Sequence, residues 1–193
     1  MPFPTPTQFL GGGKVKVFHV DLPTYDDALS PRLANSATPS AKAMVCMIDR
    51  PEAKNAVDRE TAITLHSAFV SCANDSNLRV AILTGSNGTF CAGADLKFIS
   101  QSSLMSDQGV QEAKTNLLDS NMDAIAPMGI TRLAMNKPVI AAVDGFAVAG
   151  GMELALWADL RVASSDSAFG ILCRLRGVPL IDGGTARLPA LVG

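Results

Sequence analysis

Apolar positions recur in short blocks along this chain, and the spacing inside each block predicts its element. Residues 14–20 read Lys-Val-Lys-Val-Phe-His-Val, an alternation that predicts a strand with one exposed face. Residues 43–48 are continuously apolar and end at Asp49-Arg50-Pro51, a second strand. From about 58 to 73, Ala62, Leu65, Phe69 and Cys72 fall on one face of an amphipathic helix. Further apolar blocks over 80–84, 139–143 and 160–162 read as strands. Helices are expected to begin near Asp95, to run over about 110–125, and to follow Gly150 for a short stretch. Strands alternating with helices imply βαβ crossovers, hence an α/β fold with a mostly parallel sheet.

The polar stretches divide the chain. Residues 1–13, rich in Pro, Thr and Gly, predict a disordered leader. Residues 21–42 hold Pro, Ser, Asn and Asp without a period, a long loop inserted between two strands. The organisation expected is therefore a segment 1–42 of leader, one strand and loop, followed by a core domain 43–193.

Composition narrows the function classes. The 193 residues are 48% hydrophobic and 18% charged, enough for one globular core. A net charge of −2 without a Lys/Arg cluster argues against nucleic acid as a partner. No apolar run is long enough to cross a bilayer, and no signal peptide or targeting tripeptide is visible. Cys46, Cys72, Cys91 and Cys173 show no CxxC spacing. They read as reduced thiols of an intracellular protein, of cytoplasm or mitochondrion, and no metal site is expected.

Two loops carry candidate chemistry. Gly150-Gly151-Met152-Glu153 stands where the strand 139–143 leads into a helix, so free N–H groups and a carboxylate lie together at a helix N-terminus. Phe90-Cys91-Ala92-Gly93-Ala94-Asp95-Leu96 is a second small-residue loop, after the strand 80–84. Two donor-bearing loops and one acid suit an enolate or another oxyanion. Structural roles compete: the glycines can serve tight helix–strand contact, Glu153 can answer the helix dipole, and Ala92-Gly93 can form a turn. Lys54 and Lys97 read as solvated lysines, His19 and His66 as structural, and Cys91 as an apolar filler. No GxSxG is present, so a Ser-His-Asp hydrolase is not expected.

Together with Asp49-Arg50-Pro51-Glu52-Ala53-Lys54-Asn55-Ala56, Lys137-Pro138-Val139-Ile140-Ala141-Ala142-Val143-Asp144-Gly145 and Gly183-Gly184-Thr185-Ala186-Arg187-Leu188-Pro189, these loops resemble the crotonase superfamily, the enoyl-CoA hydratase/isomerase family. The segments follow family order across 43–193. The resemblance implies a crotonase-like spiral of ββα and βαβ turns that holds an acyl-CoA thioester, with coenzyme A part of the substrate and no separate cofactor. It implies that the thioester oxygen sits between the N–H groups of Ala92 and Gly150. Gly93, Ala94 and Asp95 would form the wall on the CoA side, and Glu153 would transfer the proton. Hydratases of the family use a second glutamate, and Cys173 stands in its place. A thiol does not replace a carboxylate as a water-activating base, and Asp182 is the candidate for a second acid.

The leading expectation is an acyl-CoA lyase or isomerase of enoyl-CoA hydratase or isomerase type, as in fatty acid metabolism. Decarboxylation and thioester hydrolysis share the same oxyanion hole. The alternative is an inactive CoA-ester-binding or assembly subunit, or a truncated fragment. Family members continue past Gly-Gly-Thr-x-Arg-Leu into helices that close the acyl pocket and build trimer contacts. The chain stops at Gly193, so a core lacking those C-terminal helices is expected, and the usual homo-oligomer is left open.

Overall fold

The structure, a computed structural model, describes residues 5–22, 41–97 and 119–193. The first block does form a strand, Val15–Asp21 (β2), but without the one exposed face expected. Val15 and Val17 are buried on one side and Phe18 on the other, where it packs with Val45 and Met47, and Lys16 and His19, on opposite faces, are half-exposed. It is preceded by Gln8–Leu10 (β1), which pairs antiparallel with it. The apolar block Lys42–Ile48 (β3) pairs antiparallel with β2 over its whole length, from Val15 opposite Ile48 to Asp21 opposite Lys42. Leu78–Gly85 (β4), Val139–Val143 (β5) and Leu160–Ala163 (β7) then add in parallel, for a six-stranded sheet in the order β1-β2-β3-β4-β5-β7. Phe146–Val148 (β6) and Ala168–Gly170 (β8) form a separate parallel pair.

Arg59–Asn74 (α1) forms because its apolar residues keep a 3.6 spacing and its start is capped. The Asp58 carboxylate accepts the Thr61 N–H at 2.8 Å, satisfying one of the free donors of the first turn. The face carrying Ala62, Leu65, Ala68, Phe69 and Cys72 is buried against β2, β3 and β4. Phe69, fully buried, meets Trp157 edge to face at 5.3 Å between ring centres, and the indole N–H donates to the Leu133 C=O at 3.0 Å. This pair joins α1 to Gly150–Trp157 (α2), so both helices pack on the same core. A third helix, Gly184–Val192 (α3), lies against α2.

Short paired pieces outside the large sheet position the loops. The turn after β4 continues as Cys91, bridged in parallel to Ala147 of β6, and β6 is paired in turn with β8. Val57, just ahead of α1, bridges in parallel to Ala94. A second, broken layer of backbone pairing therefore runs through 57, 91–94, β6 and β8. This mixed α/β arrangement, with its mostly parallel sheet, is the crotonase-like fold that the resemblance implied.

Some details differ from the sequence reading. The leader expected to be disordered holds β1 and a 3-10 turn over Gly11–Gly13, because the backbone of Gln8–Leu10 completes hydrogen bonds on the open edge of β2. β6 and β8 were not expected either: at three residues each they are too short for a period to show. Residues 119–125 of the helix expected over 110–125 are not helical, and 110–118 lie outside the described residues, as does most of the loop 21–42. Helical backbone starts at Leu96, directly after Asp95, as expected.

Phe69→Ala should cost about 3–5 kcal/mol of stability, the usual penalty for emptying an aromatic site in a core. Chemical denaturation followed by the fluorescence of Trp157, the single tryptophan, measures it directly.

Candidate active site

Parallel pairing of Cys91 with Ala147 fixes the register of the two loops. The Cys91 N–H donates to the Phe146 C=O, and the Cys91 C=O accepts the Val148 N–H, both at 3.0 Å. Two chains running the same way from that pair reach Ala94 and Gly150 after equal numbers of residues. Gly93 has φ +98°, and a Cβ there would stand 3.0 Å from the Gly150 nitrogen and from the Ala149 Cβ. The missing side chain is what lets the loops touch. Gly93 thus works as a spacer between them.

Along 92–95 nearly every backbone donor is taken. The Ala92 N–H donates to the Lys54 C=O at 3.1 Å, Gly93 N–H to the Cys91 Sγ at 3.3 Å, and Asp95 N–H to the Val57 C=O at 3.0 Å. The Ala94 N–H has no partner among the described residues. This corrects the expectation that Ala92 supplies the first donor: the bridge to the 54–57 segment consumes its N–H, and the free one is two residues further on. Gly150 differs. As the first residue of α2, its N–H has no carbonyl one turn back to bond. Ala149 before it is held at φ 51°, ψ −126°, an unfavourable conformation for a residue with a Cβ, and its N–H is tied to the Gly170 C=O at 2.8 Å.

Glu153 lies one turn inside α2, only 2% exposed. Its Oε1 accepts two backbone N–H groups, from Asp182 and Gly184, each at 2.8 Å. Oε2 has no partner among the described residues. Burial pushes the Glu153 carboxyl above the usual range and the nearby Asp182 charge adds to this, while the two N–H groups pull the other way. Asp182 is buried as well, with Oδ1 held by the Met128 N–H at 3.0 Å and by the Thr131 hydroxyl. Burial raises this carboxyl too, partly offset by those donors. The structure therefore brings together the two acids that sequence reading named.

Both acids, Ala94 and Gly150 line one cavity of about 390 Å³ whose remaining wall is largely apolar, including Met128 and Leu172. Cys173 lines it too, 6% exposed, its thiol pushed up by burial and by the Glu153 charge, so it stays protonated. Asp95 does not reach this cavity. It lines a second, more polar groove of about 550 Å³ with Arg50, Lys54 and Lys97, and the two spaces share Ala92, Ala94 and Leu96. No cluster of three or more His, Cys, Asp or Glu fit to hold a metal occurs among the described residues, and no helix there is long and apolar enough to cross a membrane. Sequence reading missed the props of the site: Lys54 and Val57 under the first loop, Met128 and Thr131 behind Asp182. Lys54 and Asn55 have φ of 53° and 55°, and the Asp-Arg-Pro turn was their only visible sign.

The model of the enoyl-CoA hydratase/isomerase family matches residues 40–193. The chain belongs to that family. It is 37% identical over 153 residues to a crotonyl-CoA hydratase of Syntrophomonas wolfei, covering 79% of this chain and 55% of that protein. A carnitinyl-CoA dehydratase of Proteus mirabilis is 38% identical over 145 residues, 74% of this chain and 50% of the relative. Among solved structures, an enoyl-CoA hydratase of Mycobacterium marinum superposes with a TM-score of 0.66 at 39% identity, over 77% of this chain and 52% of that one. The chain spans about half the length of the curated relatives it matches.

Two outcomes are expected. Because both carboxyls titrate above their unfolded values, the folded chain binds protons that the unfolded chain has released. Their contribution is therefore favourable in acid and is lost as pH rises through the raised values. Glu153→Gln should be more stable than wild type at neutral pH, with the gap closing as pH falls toward the ordinary carboxylate range, in thermal unfolding at a series of pH values. Gly151→Ala should lose about 1–3 kcal/mol, since its Cβ would fall 2.0 Å from the Cys91 carbonyl oxygen, which is backbone and cannot swing away.

Proposed function

We propose that this chain processes acyl-CoA thioesters by stabilising a thioester enolate, as an enoyl-CoA hydratase-type or isomerase-type enzyme. The observation that carries the reading is the pair of N–H groups without a partner among the described residues, Ala94 and Gly150, beside Glu153 in a largely apolar cavity. In the proposed reaction the thioester carbonyl oxygen accepts both N–H groups. When a C–H bond α or γ to the thioester breaks, its electron pair moves onto that oxygen and the proton goes to Glu153 Oε2. Charge grows where fixed donors already point, so the transition state gains more than the neutral carbonyl does. A carboxyl raised above its ordinary range suits both halves of the transfer, taking the proton and giving it back at another carbon.

Asp182 is the proposed second acid, through its Oδ2, which accepts no hydrogen bond among the described residues. The polar groove with Lys54 and Lys97 is the proposed seat of the coenzyme A end of the substrate, continuous with the acyl cavity at Ala92, Ala94 and Leu96. The proton transfers call for no cofactor beyond the coenzyme A that the substrate carries. The relatives' names, crotonyl-CoA hydratase and carnitinyl-CoA dehydratase, support the substrate class and the lyase chemistry. Cys173 favours a second reading, a binder of CoA esters without turnover, because a protonated thiol offers no base for water.

The test measures hydration of crotonyl-CoA, isomerisation of a 3-enoyl-CoA and exchange of α-protons of the thioester in deuterium oxide. Glu153→Gln should lower whichever activity is present by about 10²–10⁴-fold. Ala94→Pro, which deletes the free N–H, should cost roughly 2.7–4 kcal/mol of activation free energy, while Ala92→Gly stays close to wild type. Binding of acetyl-CoA in calorimetry with no turnover and no exchange would select the second reading.

A further inference from the structure

Four residues before Lys54, and outside the acyl cavity, Arg50 makes a set of contacts that the proposed chemistry has not used. Its Nη2 lies 3.0 Å from Asp95 Oδ2 and 3.2 Å from Asp58 Oδ2, and its Nη1 donates to the Ala56 C=O. The guanidinium is largely buried, with 11% of the side chain exposed, and its Nε is buried without a hydrogen-bond partner. What the two bound oxygens share is position. Asp58 caps α1 directly after the 54–57 segment and Asp95 closes the 92–95 loop, so with Val57 bridged in parallel to Ala94 the two stand side by side at one end of the pairing.

Running back from that end, three backbone hydrogen bonds occupy Ala92 N–H, Gly93 C=O and Asp95 N–H. Asn55, fully buried, locks the same segment from beneath through the Ser86 and Thr89 carbonyls at 2.9 and 2.6 Å, and accepts the Arg50 N–H at 2.8 Å. Lys14 meets the same Asp58 oxygen at 2.8 Å, which makes a chain of alternating charge, Lys14, Asp58, Arg50, Asp95. Burial by itself would raise the Asp58 carboxyl, but Lys14, the Thr61 donors and Arg50 carry it below the usual range, so it stays ionised. The guanidinium meets both carboxylates through Nη2 and the Ala56 carbonyl through Nη1, held in one rigid plane, whereas an ammonium is a single point on a flexible stem.

We propose that Arg50 is a positioning residue for the oxyanion donor: by drawing Asp95 toward Asp58 it clamps the 92–95 loop on the 54–57 segment and aims the Ala94 N–H into the acyl cavity. Arg50 touches no reacting atom. Its effect passes through Asp95 and the three bridging hydrogen bonds, so losing it tilts the donor without emptying the site. This inference rests on the proposed enolate chemistry.

The test uses acetoacetyl-CoA, whose enolate absorbs in the ultraviolet, titrated to saturation on wild type, Arg50→Gln, Arg50→Lys, Asp95→Asn and the Arg50→Lys/Asp95→Asn double variant. Wild type should hold the ligand as enolate. Arg50→Lys should still bind it, keep the Trp157 fluorescence of the folded chain, and lose most of the enolate band at saturation. Turnover should fall on the order of 100-fold in kcat, the cost of a donor misplaced by about 1 Å. The double variant should be no worse than the poorer single variant, because both changes break one linkage. A full enolate band in Arg50→Lys, or effects that simply add, would overturn the proposal while leaving the enolate reading intact. A wild-type chain that binds acetoacetyl-CoA with no enolate band would overturn both. If Arg50→Gln fails to fold, Arg50→Lys and Asp95→Asn decide the matter.

Discussion

Backbone hydrogen-bond demand is the constraint on which the rest of this structure depends. A buried N–H without a partner is costly, so a loop can present a free donor only if its neighbours are satisfied by something else. Here the 54–57 segment does that for the 92–95 loop. It takes the N–H groups of Ala92 and Asp95 and supplies one for the Gly93 carbonyl, and Ala94 is the position left over. The left-handed turn at Lys54 and Asn55 and the buried amide of Asn55 exist to hold that segment at the right height.

The second donor is placed by the same logic on a different element. Parallel pairing of Cys91 with Ala147 carries the two loops forward side by side, and the start of α2 leaves the Gly150 N–H free by helix geometry. Close approach then falls to small residues. At Gly151 the Cys91 carbonyl lies where a Cβ would be, and at Gly93 the Gly150 nitrogen and the Ala149 Cβ crowd that position. Ala149 absorbs the remaining mismatch as backbone strain, on the order of 1–3 kcal/mol for a residue held in such a conformation.

Burial of Glu153 and Asp182 works against stability and in favour of chemistry. Among the described residues each acid keeps one oxygen tied to backbone or hydroxyl donors and one without a partner, and both are pushed toward the protonated form by desolvation first. A carboxyl raised above its ordinary range holds a proton more readily, so it can both accept and return one. The free energy for this comes from the core behind it, where Phe69 and Trp157 join α1 to α2.

Periodic apolar blocks determined most of the large sheet and α1, because burial of a whole face leaves its period in the residues themselves: Val15 and Val17 in β2, and Ala62, Leu65, Phe69 and Cys72 in α1, all lie in the core. The small-residue loops and Glu153 stood out as candidates in the sequence, and the structure brings Ala94, Gly150 and Glu153 to one cavity. The strands β1, β6 and β8 were not, for three residues carry no period and their reason to be extended is the neighbour they pair with. Nor could sequence choose between Ala92 and Ala94. The two are the same residue two positions apart, and only the tertiary structure, by bringing Lys54 and Val57 across the loop, decided which N–H is spent and which is free.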